Sequence, residues 1–391
     1  MIAPIVIVGG GFGGLYTALE LASRPGHPPL LLVEPQDRFV FLPFLYERLS
    51  SEMPLWQMAP RYVDLLAGHG IGWVQDRASS VDPQRRQVKL DSGQTLNYSA
   101  LVLACGTRPD SFGIPGVKEH CLSFHSLEDV ERLRRIVHSL RQRREVLQRL
   151  AVVGAGPSGV ELACKLADLL NGAATVELIE RGDRCLPNAK AFNRTQAELA
   201  LQSRDVRLRC NCSVEAVTAT QLRLKLEETQ QSDTMSVEAV IWTAGQRATP
   251  LAGPLPLDDR GRLRCNSELQ LEGLPQIFAL GDGAAVPHEP PLPATAQVAF
   301  QQAPLLADNL LAWQQKLPLK SFCWNDLGEM LSLGVGDATL TAMGLTLAGP
   351  AAQQMRRWVY LTRLPGRRLP LQVAAGWLSE WKLAPMGSPS R

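Results

Sequence analysis

The sequence contains no run of about 18 apolar residues, so it predicts no transmembrane helix. None of its eight cysteines forms a C-x-x-C pair or has a spacing typical of a zinc site. An excess of one charge is also lacking, because 40 basic and 38 acidic residues leave a net charge of +2. That balance excludes a polycation built to bind nucleic acid. No basic segment precedes the first apolar run, so we expect no signal peptide. We therefore expect reduced thiols facing the cytosol, no bound metal and no nucleic-acid partner.

The first chemical motif is a glycine-rich loop between a buried strand and a helix. Its parts are strand 5–8, the loop Gly9-Gly-Gly11-Phe-Gly-Gly14, helix 15–22, strand 30–33 and an acid, Glu34. This G-x-G-x-x-G spacing brings backbone N–H groups close to a pyrophosphate, and an acid 20 residues later meets ribose hydroxyls. The pattern predicts a dinucleotide site. A glycine-rich turn in a plain α/β domain is the structural alternative.

The same unit recurs 145 residues later. Its parts are strand 150–153, the loop Gly154-Ala-Gly156-Pro-Ser-Gly159, helix 160–170, strand 175–179 and Glu180. Two such loops predict two bound dinucleotides, and a flavin with a nicotinamide is the usual pair. Glu180 favours NADH because a carboxylate repels a 2′-phosphate, whereas Arg181 and Arg184 favour NADPH. The residues by themselves leave that choice open.

Three further strands are expected, at 101–104, 239–242 and 277–280, with helices at about 126–147 and 295–312. Two of these strands end at glycines, Gly106 and Gly281. Asp282 follows directly, and a carboxylate at a strand end is placed to bind hydroxyls. An ordinary Asp-Gly turn is the alternative.

These segments together resemble the two-dinucleotide-binding-domain flavoprotein reductases and, within them, the type II NAD(P)H:quinone oxidoreductases. The resemblance is carried by residues 8–15, 103–107, 153–163, 242–245, 277–282 and 295–302. It implies FAD on the first loop and NADPH or NADH as hydride donor on the second. It also implies a non-proton-pumping enzyme that reduces a membrane quinone, naphthoquinone or plastoquinone.

The resemblance also assigns roles to four polar side chains. Asp282 would bind the flavin ribityl chain, and Glu161 would relay protons to the quinone. Gln297 and Gln301 would close the quinone pocket, since four-residue spacing puts them on one helix face. The structural alternatives are an acid favoured by the dipole of a helix's first turn and a polar stripe on a helix.

Redox cysteines are absent where disulfide reductases carry them. That region reads Phe39-Val-Phe41-Leu-Pro-Phe44-Leu-Tyr46, and we expect its aromatic rings to be core. Electrons must then leave the flavin directly. A sulfide:quinone oxidoreductase is an alternative, with Cys164 and Cys323 as the candidate thiols. A flavoprotein redox sensor is the non-enzyme alternative.

Three segments are closer to one branch of the family. They are Phe41-Leu-Pro-Phe-Leu-Tyr-Glu47, Ile179-Glu-Arg-Gly182 and Asn325-Asp-Leu-Gly-Glu-Met-Leu-Ser-Leu-Gly334, where Leu327 replaces a common lysine. They resemble the cyanobacterial and plastid branch, which acts on demethylphylloquinone in vitamin K1 synthesis and favours NADPH. A general type II NADH:plastoquinone or ubiquinone dehydrogenase remains the alternative.

The C-terminal segment is basic and aromatic. Residues 351–391 hold seven Lys/Arg and one acid, a net charge of +6, among Trp358, Trp377 and Trp381. We expect a peripheral helix on an anionic membrane, thylakoid or plasma membrane, with packing in a homodimer or within the chain as the alternatives. The sequence thus predicts an α/β protein with two Rossmann-like domains, the FAD domain split by the NAD(P) domain. The expected boundaries are 1–115 and 251–335 for FAD, 116–250 for NAD(P)H and 336–391 for the C-terminal segment.

Overall fold

The computed structural model describes residues 3–143, 148–366 and 368–383, with side chains up to residue 377. The chain divides into two compact units. The first comprises Met1–Val40, Ala59–Arg108 and Gln246–Asp326. The second comprises Phe41–Met58, Pro109–Gly245 and Leu327–Arg391. The first and second glycine loops therefore lie in different units, and the C-terminal segment belongs to the second.

The strands and helices follow one another in short alternating pieces. The strands are β1 Ile5–Val8, β2 Leu30–Val33, β3 Ile71–Val74, β4 Ala78–Asp82, β5 Gln87–Leu90, β6 Thr95–Asn97, β7 Ala100–Leu103, β8 Thr107–Pro109, β9 Cys121–Leu122, β10 Arg149–Val153, β11 Thr175–Ile179, β12 Arg207–Arg209, β13 Cys212–Val217, β14 Gln221–Leu226, β15 Ser232–Ser236, β16 Ala239–Trp242, β17 Gln246–Ala248, β18 Leu263–Arg264, β19 Gln270–Leu271, β20 Leu274–Ala279, β21 Ala284–Ala285, β22 Glu329–Ser332, β23 Ala338–Ala342 and β24 Leu345–Ala348. The α-helices are α1 Phe12–Ala22, α2 Leu45–Leu49, α3 Leu55–Met58, α4 Tyr62–Leu66, α5 Val117–His120, α6 Leu127–Gln142, α7 Pro157–Leu170, α8 Ala191–Ser203, α9 Ala296–Gln314, α10 Pro350–Leu361 and α11 Arg368–Leu383.

The first unit is built on a six-stranded sheet in the order β19-β20-β7-β1-β2-β3. All its neighbours are parallel except β19, which runs antiparallel to β20. The register pairs Val8 with both Val33 and Leu103, and Leu103 with Ala279. The carboxyl ends of β1, β2, β7 and β20 therefore lie at one edge of the sheet, where ligands of open α/β sheets bind.

The second unit contains a five-stranded parallel sheet in the order β12-β11-β10-β16-β9. Val153 pairs with Ile179 on one side and Trp242 on the other, so β10, β11 and β16 also end at one edge. The inner strands β1, β7, β10 and β11 of these sheets are almost entirely buried. This burial explains why the sequence shows these strands as continuous apolar runs.

Two helices begin earlier than the apolar pattern predicts. Helix α1 begins at Phe12 and α7 at Pro157, inside the glycine loops, because glycine gives no apolar signal. Helix α6 begins after Ser126, which forms a capping box with Asp129, and it ends at Gln142. The sequence extends that helix to 147; residues 144–147 lie outside the described part of the chain.

The alternating residues of 206–214 predict a single strand with Cys210 and Cys212 on one face, and this prediction is wrong. The run forms two strands, β12 and β13. Asn211 between them has a φ of 54°, in the left-handed region that strands do not adopt. Consequently Cys210 and Cys212 do not share one strand face.

The C-terminal segment packs within the second unit more than its charge pattern suggests. Arg356 and Trp377, which the sequence places at a membrane surface, are 0% and 8% exposed. The side chains of Trp381 and Lys382, like Arg367 and Arg391, lie outside the described part of the chain. No helix among the described residues is long and apolar enough to cross a membrane.

Candidate functional site

The first glycine loop joins the end of β1 to the start of α1. A Cβ atom on Gly14 would lie 1.8 Å from the Gly9 carbonyl oxygen, so only glycine allows this turn. A Cβ on Gly11 would instead meet no protein atom within 4 Å. The Gly11 side of the loop is therefore open, beside the backbone N–H groups that begin α1. This arrangement fits a dinucleotide pyrophosphate.

Glu34 at the end of β2 is fixed against this loop. One carboxylate oxygen accepts a hydrogen bond from Gly10 N at 2.7 Å, and the other accepts one from Gln36 N at 2.9 Å. Tyr62, which sequence analysis missed, donates its hydroxyl to the Gly10 carbonyl at 2.8 Å and is 2% exposed. The Trp73 ring N–H lies 3.2 Å from the Glu34 carbonyl oxygen. No local pattern marks either ring, because their contacts bridge distant segments.

Asp282 lies at the end of β20 beside the same sheet edge. Gln302 of α9, also missed by sequence analysis, accepts a hydrogen bond from Gly281 N at 2.8 Å and is 1% exposed. Gly106 approaches this turn, since a Cβ on Gly283 would lie 3.0 Å from the Gly106 carbonyl oxygen. The structure thus brings Gly106 and Asp282 together, although 176 residues separate them in sequence.

A cavity of about 340 Å³ opens beside Asp282 in the first unit. Burial raises the pKa of the Asp282 carboxyl to about 6. The cavity walls also include Val298 and Gln302 of α9 and the guanidinium-bearing residues Arg262 and Arg264. A carboxylate at a cavity wall can accept hydrogen bonds from the hydroxyls of a sugar alcohol chain, which is the chemistry expected for a ribityl group.

The second glycine loop repeats the first in the second unit. A Cβ on Gly159 would lie 1.8 Å from the Gly154 carbonyl oxygen, and a Cβ on Gly156 would meet no atom within 4 Å. Glu180 accepts hydrogen bonds from Ala155 N at 2.8 Å and Gly182 N at 2.7 Å, as Glu34 does in the first unit. The two loops therefore have one geometry, and both fit a dinucleotide.

The two arginines after Glu180 differ in their surroundings. Both are exposed, but the Arg184 guanidinium lies 2.5 Å from the Asp183 carboxylate. The charge of Asp183 partly offsets that of Arg184 toward an incoming phosphate. Arg181 is therefore the better placed of the two to read a 2′-phosphate.

Glu161 is buried, which differs from the expectation of an acid in a helix's first turn. It is the fifth residue of α7 and only 8% exposed. One carboxylate oxygen accepts a hydrogen bond from Ser332 N at 2.7 Å and lies 3.9 Å from the Arg356 guanidinium. Burial raises the pKa of Glu161 to about 7, although Arg356 and the Ser332 N–H oppose the shift. A carboxyl with this pKa can exchange a proton at neutral pH.

Gln297 and Gln301 both lie on α9 and are half-buried. The side-chain amide nitrogen of Gln301 donates a hydrogen bond to the Asn325 carbonyl oxygen at 2.8 Å. Its amide oxygen accepts one from Asn325 N at 3.2 Å. Gln301 thus anchors the segment that follows α9. Both glutamines belong to the first unit and Glu161 to the second.

The cysteines offer no redox pair at the second loop. Cys164 is fully buried on α7, and burial raises the pKa of its thiol to about 12, so the reactive thiolate is disfavoured. Cys323 is exposed and belongs to the other unit. The aromatic residues Phe39, Phe41, Phe44 and Tyr46 are at most 6% exposed, which confirms that they are core. Among the described residues, no group of His, Cys, Asp or Glu could hold a metal ion.

Comparisons with known proteins agree with this geometry. The family model for pyridine nucleotide-disulphide oxidoreductases matches residues 3–303. The chain is 42% identical to demethylphylloquinone reductase NdbB of Synechocystis sp., over 96% of this chain and 95% of that protein. It is 35% identical to the alternative NAD(P)H-ubiquinone oxidoreductase C1 of Arabidopsis thaliana, over 96% and 80% of the two chains.

A solved structure of the same fold is NDH2 of Plasmodium falciparum in complex with NADH. The TM-score is 0.86 at 17% identity, over 99% of this chain and 100% of that one. Identity this low supports the fold alone. The fold comparison and the family match both indicate an α/β dinucleotide-binding flavoprotein.

Proposed function

The chain belongs to the pyridine nucleotide-disulphide oxidoreductase family, and within it to the type II NAD(P)H:quinone oxidoreductases, and we propose that its quinone is a naphthoquinone such as demethylphylloquinone. The cofactors are FAD and NAD(P)H. The net reaction converts NAD(P)H, one proton and a quinone into NAD(P)⁺ and a quinol. The observation that carries the proposal is the pair of matching glycine loops, together with 42% identity to a demethylphylloquinone reductase.

Each part of the chain has a defined task in this proposal. The first loop, Glu34 and Asp282 would hold FAD, which when bound supplies the two-electron chemistry between nicotinamide and quinone. The second loop and Glu180 would orient the nicotinamide cofactor. Alignment of the reacting groups then provides most of the rate acceleration.

The quinone half of the reaction needs a hydrogen-bond partner and a proton. We assign the quinone contact to Gln297, whose neutral amide can bind a carbonyl oxygen without competing as an acid. Gln301 would support it by fixing the segment at Asn325. Glu161 would supply the proton, because burial raises the pKa of its carboxyl to about 7 and it can exchange a proton at neutral pH.

Steady-state turnover of the purified holoenzyme tests the proposal. NADPH and NADH are each combined with a demethylated naphthoquinone, a benzoquinone and no quinone, and oxidation is followed by absorbance. We expect the highest kcat/KM with the naphthoquinone. A protein that oxidises NAD(P)H equally slowly with and without quinone would instead be a redox sensor. Quinone reduction with sulfide in place of NAD(P)H would support the sulfide oxidoreductase alternative.

The nicotinamide choice has its own test. We propose that Arg181 binds the 2′-phosphate, so Arg181→Ala should lower kcat/KM for NADPH more than for NADH. A hydrogen bond to a charged group contributes about 1.5–3 kcal/mol, so the ratio of the two constants should change about tenfold or more. Arg184→Ala is the matched control and should change the ratio little. Equal losses with both cofactors in Arg181→Ala would show that this arginine does not read the phosphate.

The C-terminal helices are proposed to bring the enzyme to a membrane that holds the quinone. The residues available for this include Met355 and Trp358 of α10, Leu371 of α11 and Trp56 of α3, whose large apolar side chains are 44–72% exposed. Aromatic and aliphatic side chains of this kind insert into the lipid interface, and nearby basic groups attract anionic headgroups.

A further inference from the structure

A tight turn at Ser111-Phe112-Gly113-Ile114 in the second unit has an unusual residue at its centre. The Ile114 N–H donates a hydrogen bond to the Ser111 carbonyl at 2.9 Å. Phe112 and Gly113, the two central residues, have φ values of 50° and 71°. Positive φ at both central positions defines a type I′ turn, in which Asn-Gly is the preferred pair. Phenylalanine is uncommon in this conformation, because a bulky side chain disfavours positive φ.

The Phe112 ring lies over the end of β16, at Gly245. A Cβ atom on Gly245 would lie 2.2 Å from the ring Cζ, and the Phe112 side chain is 62% exposed. Asp110 attaches the turn to this strand end. Its N–H donates to the Gly245 carbonyl at 3.4 Å, and its carbonyl accepts the Trp242 ring N–H at 2.8 Å. The ring therefore has a defined place, but it buries little apolar surface.

The end of β16 lies directly beside the second glycine loop. The Thr243 hydroxyl donates a hydrogen bond to the Gly154 carbonyl at 3.1 Å. A Cβ on Gly154 would lie 3.0 Å from the Ala244 Cα. Gly245 is the next residue, so the Phe112 ring borders the loop at the carboxyl edge of the sheet, where ligands bind.

The first unit has the same arrangement without a ring. In each unit the strand next to the loop strand ends three residues before a glycine, which is Gly106 after β7 and Gly245 after β16. The φ values of these glycines are 63° and 70°. A Cβ on Gly106 would meet no protein atom within 4 Å. The space that is open at Gly106 is therefore bordered by Phe112 at Gly245.

The strand order indicates which half of a dinucleotide would meet the ring. Strand β10 leads into the loop that fits the pyrophosphate, and its neighbours are β11 on one side and β16 on the other. Glu180 follows β11 and would bind the ribose of the adenosine half. The nicotinamide half then extends toward β16, where Phe112 lies.

We propose that Phe112 is a binding residue for the nicotinamide half of the cofactor, with its ring packed against that half at the end of β16. This inference rests on the proposed placement of NAD(P)H at the second loop. Aromatic rings pack favourably against other flat rings. Asparagine would suit the turn better but has no aromatic surface, so the unfavourable φ of Phe112 is retained for the contact that its ring makes.

Binding titrations of the FAD-loaded protein with NAD⁺, NADP⁺ and ADP test the proposal without turnover. Phe112→Asn completes the preferred Asn-Gly pair and removes the ring. We expect the Kd values for NAD⁺ and NADP⁺ to rise alike, by about fivefold or more, because the contact does not involve the 2′-phosphate. The Kd for ADP, which lacks the nicotinamide half, should not change. Phe112→Tyr keeps the ring and should bind all three as wild type does.

Thermal unfolding of the same variants distinguishes this role from a structural one. Phe112→Asn should raise the Tm, because it relieves an unfavourable φ and removes a ring that is mostly exposed already. A ring that only supports the fold would lower the Tm on removal and leave the Kd for NAD⁺ unchanged.

The proposal is overturned if Phe112→Asn binds NAD⁺ as wild type does, or if its Kd for ADP rises as much as its Kd for NAD⁺. Failure of the placement of the cofactor has a different signature. In that case Gly156→Val, whose side chain fills the pyrophosphate position of the second loop, would leave the Kd values for NAD⁺ and ADP unchanged.

Discussion

At the residue scale, Gly11 and Gly156 occupy equivalent positions in the two glycine loops. Gly11 and Gly156 both have extended backbone conformations that any residue adopts, with φ values of −69° and −72°, and both face open space. Valine at either position should therefore fold normally while its side chain fills the place of a pyrophosphate. We expect Gly11→Val to lose FAD and Gly156→Val to keep it but bind NAD(P)H at least about tenfold more weakly, roughly 1.4 kcal/mol.

Absorbance of released flavin and a cofactor-binding titration measure both effects. Thermal unfolding of each variant shows whether the fold is kept. A Gly11→Val protein with a full complement of FAD would contradict the assignment of the first loop.

The raised pKa of Glu161 should also make the free energy of unfolding depend on pH. Its pKa is raised from 4.5 to about 7 in the native state, so native protein holds a proton that the unfolded chain releases. The contribution of Glu161 to the free energy of unfolding is therefore fully present below pH 4.5. It decreases as pH rises to about 7, by about 1.4 kcal/mol per pKa unit. Glu161→Gln cannot lose this proton and should become progressively more stable than wild type across that range.

Thermal unfolding of holoenzyme at pH 5 and pH 8 checks this sign. Glu177→Gln is the control, since it removes a different buried carboxylate, on β11, which lies beside Arg207 and Arg209. A constant difference between Glu161→Gln and wild type at both pH values would contradict the raised pKa.

At the scale of elements, α7 anchors the C-terminal part of the second unit. Glu161, Lys165 and Asp168 lie on one face of this helix because they are four and seven residues apart. Lys165 pairs with Glu52 at 2.6 Å. Asp168 accepts a hydrogen bond from Val335 N at 2.7 Å. The helix that begins at the second glycine loop thus also holds the segment that leads into β23.

Helices α10 and α11 divide their basic and aromatic residues between two environments. Arg356, Val373 and Trp377 are buried, and Arg357 stacks on the Trp377 ring at 4.3 Å. Packing within the unit thus accounts for part of a pattern that the sequence assigns to a membrane. The outer face keeps Trp358 and Leu371 exposed.

This division leads to a prediction for vesicle binding. Trp358→Ser with Leu371→Ser should weaken binding to anionic vesicles by about tenfold or more, because burying a large apolar side chain contributes about 1.5–3 kcal/mol. Binding should also weaken in high salt, which screens the basic groups. Vesicle flotation measures both effects.

The matched control is Leu317→Ser, which changes an apolar residue that is 53% exposed in the first unit. It should bind vesicles as wild type does. If Trp358→Ser with Leu371→Ser also binds as wild type does, this face of the C-terminal helices is not a membrane surface. Removing the chain from Arg356 onward is a poor substitute, because it would leave Glu47 unpaired in the interior.

At the scale of the whole molecule, each of the two units contains a glycine loop of the same geometry. Each loop follows an inner strand of its sheet, and each acid lies at the end of the neighbouring parallel strand. Each unit is formed by three separate segments of the chain, so neither unit is continuous in sequence. The expected domain boundaries at 115, 250 and 335 stay a prediction. Residues 41–58 belong to the second unit by their packing, which no local sequence pattern indicates.

The sequence by itself determined the two strand–loop–helix–strand units and their acids. These features are local: glycine is required where a Cβ would meet the backbone, and buried parallel strands are short apolar runs. The residues Gly9 to Glu34 and Gly154 to Glu180 could therefore be identified from the order of the amino acids. The predicted start of a helix at about residue 126 also agrees with the structure, in which Ser126 caps α6.

Only the tertiary structure decided which polar side chains are buried together. Glu47 and Arg356 are separated by 309 residues and meet beside Glu161, whereas the sequence placed Arg356 on a membrane surface. A basic residue in an amphipathic helix looks the same in sequence whether lipid, water or a buried carboxylate faces it. The distinction depends on which distant segment packs against that face, and this is determined by the folded chain as a whole.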